Sequence, residues 1–261
     1  MILDVIVANK KREIVEARRR MPLNLLKEQA QKQPSAISFT RALKGNGLSI
    51  IAEVKKASPS RGVIKADFDP VSTAKSYAQN GAAAISVLTD EKFFQGRLEY
   101  IQQIKSTLKL KTIPLLRKDF IIDPYQVYES RVAGADAILL IAAILTEEQL
   151  SELLLLSRFL GMDCLVETHN EKEVAAAIDA DAGIIGINNR NLADMTVNLE
   201  TTERLCPLIP REKIIVSESG IKDEKDIRRM KKLGVDAVLI GEALMSSPDI
   251  GAKLKRLHGQ G

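Results

Sequence analysis

From residue 48 onward the chain repeats one pattern: a short, nearly continuous apolar run rich in β-branched residues, then a longer amphipathic stretch. The runs fall at residues 48–53, 83–88, 113–117, 136–141, 162–167, 183–187, 213–217 and 235–240. A strand with one wet face alternates apolar and polar residues. These do not, so the pattern predicts parallel strands buried on both faces. Between them stand helix starts: Asp69-Pro70, Asp123-Pro124 and Thr146-Glu147-Glu148. Proline suits a first helical turn, and acids suit the positive end of the helix dipole.

A weak repeat supports the count. Asn80-Gly81-Ala82, Ala133-Gly134-Ala135-Asp136 and Leu233-Gly234-Val235-Asp236 each close a helix and open a strand, and Asp181-Ala182-Gly183 is a looser copy. Eight βα units predict a closed (β/α)8 TIM barrel, an α/β fold, rather than an open sheet. No GxGxxG follows the first strand, which argues further against a dinucleotide-binding sheet. Residues 1–261 are read as one barrel domain. Residues 1–47 are a helical extension packed on it, with Ile2, Leu3, Ile6, Val7 and Ile14 on one helical face and a second short helix at 39–43. They hold too few apolar residues for a core of their own.

Composition removes several function classes. Only two histidines are present, so a three-histidine zinc site is impossible and no metal is expected. Two unspaced cysteines, Cys164 and Cys206, read as free thiols in a reducing cytoplasm. No apolar run approaches the roughly 18 residues of a membrane span, and the opening residues do not form a secretory signal, so a cytoplasmic protein is expected. The basic cluster Lys10-Lys11-Arg12 and Arg18-Arg19-Arg20 is interleaved with Glu13 and Glu16 and reads as a solvated helix face. With no tryptophan to stack on bases, nucleic acid is not expected as a partner.

Catalytic groups of a barrel stand at the C-terminal ends of its strands. Here those ends carry Glu53 and Lys55 on one side of the first strand, then Arg117-Lys118-Asp119, Glu167, Asn188-Asn189-Arg190 and Ser217-Glu218-Ser219. Desolvating an ion costs several kcal/mol unless it is paired, so stability alone is a poor reason to bring so many to one mouth. At the last two strands, Ser219-Gly220 and Gly241-Glu242 form turns whose backbone N–H groups suit a phosphate, although ordinary tight turns would look the same. The loop after the first strand, from Lys55 through Ser58 and Pro59 to Gly62, is basic. It reads either as a lid over an anionic substrate or as a solvated loop. Phe94 and Phe120 form either an apolar wall for an aromatic ring or ordinary packing.

Motifs across nearly the whole chain resemble those of indole-3-glycerol-phosphate synthases. They are Ile51-Ala52-Glu53-Val54-Lys55-Lys56-Ala57-Ser58-Pro59-Ser60, Ser86-Val87-Leu88-Thr89-Asp90-Glu91-Lys92-Phe93-Phe94-Gln95-Gly96, Leu116-Arg117-Lys118-Asp119-Phe120, Val166-Glu167, Ile187-Asn188-Asn189-Arg190-Asn191-Leu192, Ser217-Glu218-Ser219-Gly220-Ile221 and Leu239-Ile240-Gly241-Glu242. The resemblance implies that an anthranilate-bearing deoxyribulose 5-phosphate closes its pyrrole ring with loss of CO2 and water, without a cofactor. It implies Lys118 as general acid, Glu167 as the group handling the proton that leaves the ring system or the later dehydration, and Lys55 beside the departing carboxylate or as acid in dehydration. Glu53 and Asn188 would orient the lysines and sugar hydroxyls, with Glu218 also catalytic. Ser58, Pro59, Phe94, Phe120 and Arg190 would bind substrate, and Ser219, Gly220, Gly241 and Glu242 the phosphate. Glu242 is acidic beside an expected anion, which requires its side chain to turn away. A homo-oligomer stays open. The rivals are phosphoribosylanthranilate isomerase, whose Cys/Asp pair neither Cys164 nor Cys206 fits, a Schiff-base aldolase, and a barrel that only binds.

Overall fold

A computed structural model of the chain describes residues 2–45, 47–107, 113–192 and 194–259. The expected spans 1–261 and 1–47 therefore reach beyond the described residues at Met1, Asn46, 108–112, Ala193 and the last two positions.

Eight parallel strands close into a barrel: β1 (Ser49–Val54), β2 (Ala84–Leu88), β3 (Leu115–Lys118), β4 (Ala137–Ile141), β5 (Asp163–Thr168), β6 (Ile184–Asn188), β7 (Ile214–Glu218) and β8 (Ala237–Ile240). Closure is made by β1, which pairs with β2 on one side and β8 on the other. Each expected run opens one or two residues before its strand. The residue just before β4 shows why: Asp136 turns its carboxylate back to accept the N–H of Leu115 at 2.8 Å, ending the preceding turn instead of beginning the strand. At the other end Lys118, Thr168, Asn188 and Glu218 are still strand residues, so the ladder itself aims the polar side chains.

Two apolar layers hold the barrel. Outside, residues such as Ile50, Val87, Leu140, Val166 and Ile185 pack against the surrounding helices. Inside, Ile51, Leu116, Leu139, Leu165, Ile184 and Val216 fill the bore. The expected helix starts are present: Asp69 caps Pro70–Gln79, Asp123 caps Pro124–Ala133, and Thr146 makes a reciprocal cap with Gln149.

The segment before β1 wraps the barrel from top to bottom. Helix α1 (Ile2–Arg20) brings Ile2, Leu3 and Ile6 to the mouth. Helix α2 (Leu23–Gln31), which the sequence reading missed, lays Leu26 beside Ile14 and Tyr125 on the flank. Helix α3 (Phe39–Leu43) closes the bottom: Phe39 and Leu43 are fully buried in the bore cluster, and Thr40 bonds Asp163 at the start of β5. The solvated-face reading of α1 fails at one residue. Lys10 is only 4% exposed, with its Nζ 2.9 Å from both Asp90 and Asp119 and 2.8 Å from Glu13. No helix of the described residues is long and apolar enough to cross a membrane.

Candidate active site

The strand ends surround a mouth of about 710 Å³, within the usual range for a small-molecule site. Pleating decides which charges face it. At the end of β3, Lys118 turns in while Arg117 turns out and is buried between Asp119 at 3.0 Å and Glu129 at 2.8 Å. Of the two strand-end arginines, Arg190 lines the mouth and Arg117 does not.

The ammonium of Lys118 lies 2.9 Å from Glu167 Oε2 and 3.1 Å from Glu218 Oε2. Burial alone would lower its pKa. The carboxylates of Glu167, Glu218 and Glu53 outweigh that effect and hold its pKa above the ordinary lysine value. Next to it, Lys55 Nζ is 2.6 Å from Glu53 Oε2. A third cation completes the cluster: His169 Nε2 is 3.3 Å from Glu167 Oε1, off the line of a good hydrogen bond, while Nδ1 is 2.9 Å from Glu173. Burial would lower the His169 pKa, but Glu167 and Glu173 raise it to about 10, so the ring is charged at neutral pH.

The two carboxylates on Lys118 are not equivalent. Burial raises both, yet Glu167 has Lys118 and His169 and ends below the usual carboxylate range. Glu218 has only Lys118 and faces Glu167 and Glu53, and its pKa is pushed up to about 7.

Phe94 and Phe120 stand tilted with ring centres 6.1 Å apart, and with Leu139, Ile141, Ile2 and Leu3 they line the apolar side of the mouth. Opposite are the two turns. Ser219 and Gly220 follow each other in the left-handed region, at φ 64° and 87°. A Cβ on Gly220 would also meet Val197 Cγ1 at 2.7 Å, so only glycine fits. Asn189 pins this turn by donating from Nδ2 to the carbonyls of Glu218 (2.9 Å) and Ser219 (3.0 Å). Gly241 and Glu242 open the short helix Glu242–Met245 beside it. The Glu242 side chain turns toward Arg61, 2.5 Å away, with Arg190 at 3.9 Å. Asn188 Oδ1 accepts the N–H of Arg190 at 3.0 Å, and Arg190 Nη1 donates to the Met195 carbonyl.

The segment after β1 is more ordered than a plain loop. Ala57–Ser58 and Gly62–Val63 form a two-stranded antiparallel ladder, placing Ser58, Pro59 and Arg61 on the mouth. Every residue expected at the site lines this one cavity. Sequence reasoning did not assign the α1 side chains to the mouth, nor Lys222 and Lys253 to its rim. Helical periodicity marked α1 as amphipathic, but nothing in it said that part of that face belongs to the mouth.

Fold and site together define a class: a (β/α)8-barrel enzyme whose mouth has buried lysine–carboxylate pairs, an apolar wall on one side and two glycine turns on the other. The profile of the family "Indole-3-glycerol phosphate synthase" matches residues 3–257. An indole-3-glycerol phosphate synthase of Dehalococcoides mccartyi is 54% identical over 98% of this chain and 100% of its own length, and one of Acetivibrio thermocellus is 49% identical over 98% of each. The chain belongs to the indole-3-glycerol phosphate synthase family. Among solved structures, 3-hexulose-6-phosphate synthase from Salmonella typhimurium superposes with a TM-score of 0.66 at 13% identity, over 81% of this chain and 97% of that one. That likeness concerns the fold.

Proposed function

We infer that the chain is a carboxy-lyase that closes the indole ring of 1-(2-carboxyphenylamino)-1-deoxyribulose 5-phosphate, releasing CO2 and water. This is the step of tryptophan biosynthesis for which its family is named. The observation that carries the residue assignment is Lys118, a buried ammonium between two carboxylates at the mouth.

The phosphate is held by the backbone N–H groups of Gly220 and Glu242 in the turns begun by Ser219 and Gly241, with Arg190 alongside. The anthranilate ring lies against Phe94 and Phe120, and Ser58 and Pro59 close over it. The ring carbon bearing the carboxylate then attacks the ketone carbon. A C–C bond forms, the carbonyl electron pair moves to oxygen, and Lys118 supplies the proton. An alkoxide is a stronger base than an amine, so this transfer runs downhill even from a lysine whose pKa is raised. The bond to the carboxylate breaks beside Lys55, CO2 departs, and the electron pair restores the aromatic ring. The new hydroxyl takes a proton from Lys55 and leaves as water as the ring nitrogen's electron pair expels it, and Glu167 takes the proton then lost from the five-membered ring. Glu53 and Asn188 orient Lys55 and the sugar hydroxyls, and Glu218 stores the proton that recharges Lys118. Most of the rate gain in this scheme is positioning and charge placement.

The geometry disfavours a Schiff base at Lys118. That chemistry needs a neutral amine, and this one is held charged. The direct test is incubation with the anthranilate deoxyribulose phosphate while following indole fluorescence. Turnover is expected. Its absence, or borohydride trapping of a covalent adduct on Lys118, would remove this reading.

A further inference from the structure

Gly186 lies in the middle of β6, facing the bore between Ile184 and Asn188. Its backbone does not call for glycine, since its φ lies outside the left-handed region. Space does. A Cβ built there would overlap Glu218 Oε1 and stand 3.1 Å from Leu165 Cδ1. The ladder explains the overlap. Gly186 pairs in register with Glu167 on β5, while Glu218 on β7 pairs with Asn188, one inward-facing position further up β6. The missing side chain leaves a notch beside Glu167, and the Glu218 carboxylate folds into it. From that notch it reaches Lys118 on β3 at 3.1 Å. Neither Glu218 oxygen has a hydrogen-bond donor in good geometry. Its place is set by the charge of Lys118 and by the shape of the notch.

We propose that Gly186 is a positioning residue for the reaction: by carrying no side chain it admits the Glu218 carboxylate beside Glu167 and so fixes where the Lys118 ammonium stands. The inference rests on Lys118 acting as the proton donor. It differs from an ordinary packing role in what it predicts. The far end of a glutamate moves easily, so a methyl group at 186 displaces the carboxylate and leaves the strand in place.

The test is a double-mutant cycle between Gly186→Ala and Glu218→Ala, read as kcat and KM for ring closure. In the parent chain Gly186→Ala is expected to lower kcat on the order of 10²-fold, the scale of a misplaced catalytic group, with KM little changed. In the Glu218→Ala background the same substitution is expected to change kcat by less than about twofold, because the group it would displace is gone. An equal loss in both backgrounds, or no loss in the parent, overturns the proposal. If Gly186→Ala alone does not fold, the cycle is run with Leu165→Val, which removes the other crowded atom, and the same outcomes decide. A parent chain without turnover would count against the reaction itself. The structure of the Gly186→Ala protein would then decide this point separately: Glu218 displaced from Lys118 supports the notch, and Glu218 unmoved contradicts it.

Discussion

At Lys118 the sign of each neighbour decides the chemistry. Around it the carboxylates of Glu53, Glu167 and Glu218 meet the cations of Lys118, Lys55 and His169, and of the carboxylates beside Lys118 it is Glu218 whose pKa is raised. This has a consequence for stability. Burial first, then Glu167 and Glu53, raise the Glu218 pKa from 4.5 to about 7 in the fold, so its contribution is fully present below the unfolded value and is lost as pH rises through about 7. Glu218→Gln keeps the shape and carries no such loss. Its melting temperature is expected to move upward relative to the parent between about pH 5 and about pH 8, by the equivalent of roughly 1–3 kcal/mol. Thermal unfolding at the two pH values measures it. A gap that stays constant, or closes in the other direction, contradicts the assignment of the raised pKa to Glu218.

Elements set these residues in place, and the N-terminal helix does so from outside the barrel. Lys10 of α1 is a buried cation shared by Asp119, next in sequence to Lys118, and by Asp90, which caps the short helix Glu91–Phe94. Burial alone would lower its pKa, but Asp119, Asp90 and Glu13 raise it. Lys10→Met leaves two buried carboxylates without their shared cation, and the expected cost is about 3–5 kcal/mol of stability. Because Phe94 hangs on the same helix, KM should rise while kcat changes less. Unfolding in denaturant and steady-state kinetics together check this, and a variant of parental stability would show that the cluster does not hold α1.

The ladder over the mouth makes the opposite case, an element held by little. Ile64 N–H donates to the Lys56 carbonyl at 2.8 Å and Arg61 reaches Glu242, but Gly62 and Val63 are exposed. Hydrogen exchange at 56–62 is expected to be fast in the free protein and slower with substrate bound. Exchange as slow as in β1 without ligand, and unchanged by it, would argue against a lid.

The same elements show what the sequence could reveal. All eight strands were legible because burial on both faces keeps most of their residues apolar up to the C-terminal ends, and the caps Asp69, Asp123 and Thr146 marked helix starts between them. Helix α2 was missed because Pro22 before it makes no side-chain cap, so no start signal separates it from α1. Lys10 was misplaced because its carboxylate partners come from the ends of β2 and β3, at separations no local pattern encodes. The site residues stood out as charges at strand ends, whereas Gly186 did not, since an absent side chain leaves no charge to notice.

Across the whole molecule, stability and chemistry occupy different ends. At the bottom, α3 and the carboxylates of Asp136 and Asp163 tie the chain leading into β1 to the starts of β4 and β5. At the top, nearly every inward-facing polar group belongs to the mouth. A barrel divided this way can lose a group at the mouth and keep its fold. Lys118→Met tests that division and the central claim together. It keeps most of the stem's volume and removes the ammonium, while His169 still offsets Glu167 and Glu218 can take up a proton. Ring closure followed by indole fluorescence, beside the parent and a circular-dichroism melt, should show a folded protein whose kcat is lower by about 10²–10⁴-fold, with KM moving far less. A folded Lys118→Met protein turning over near the parental rate would contradict the account.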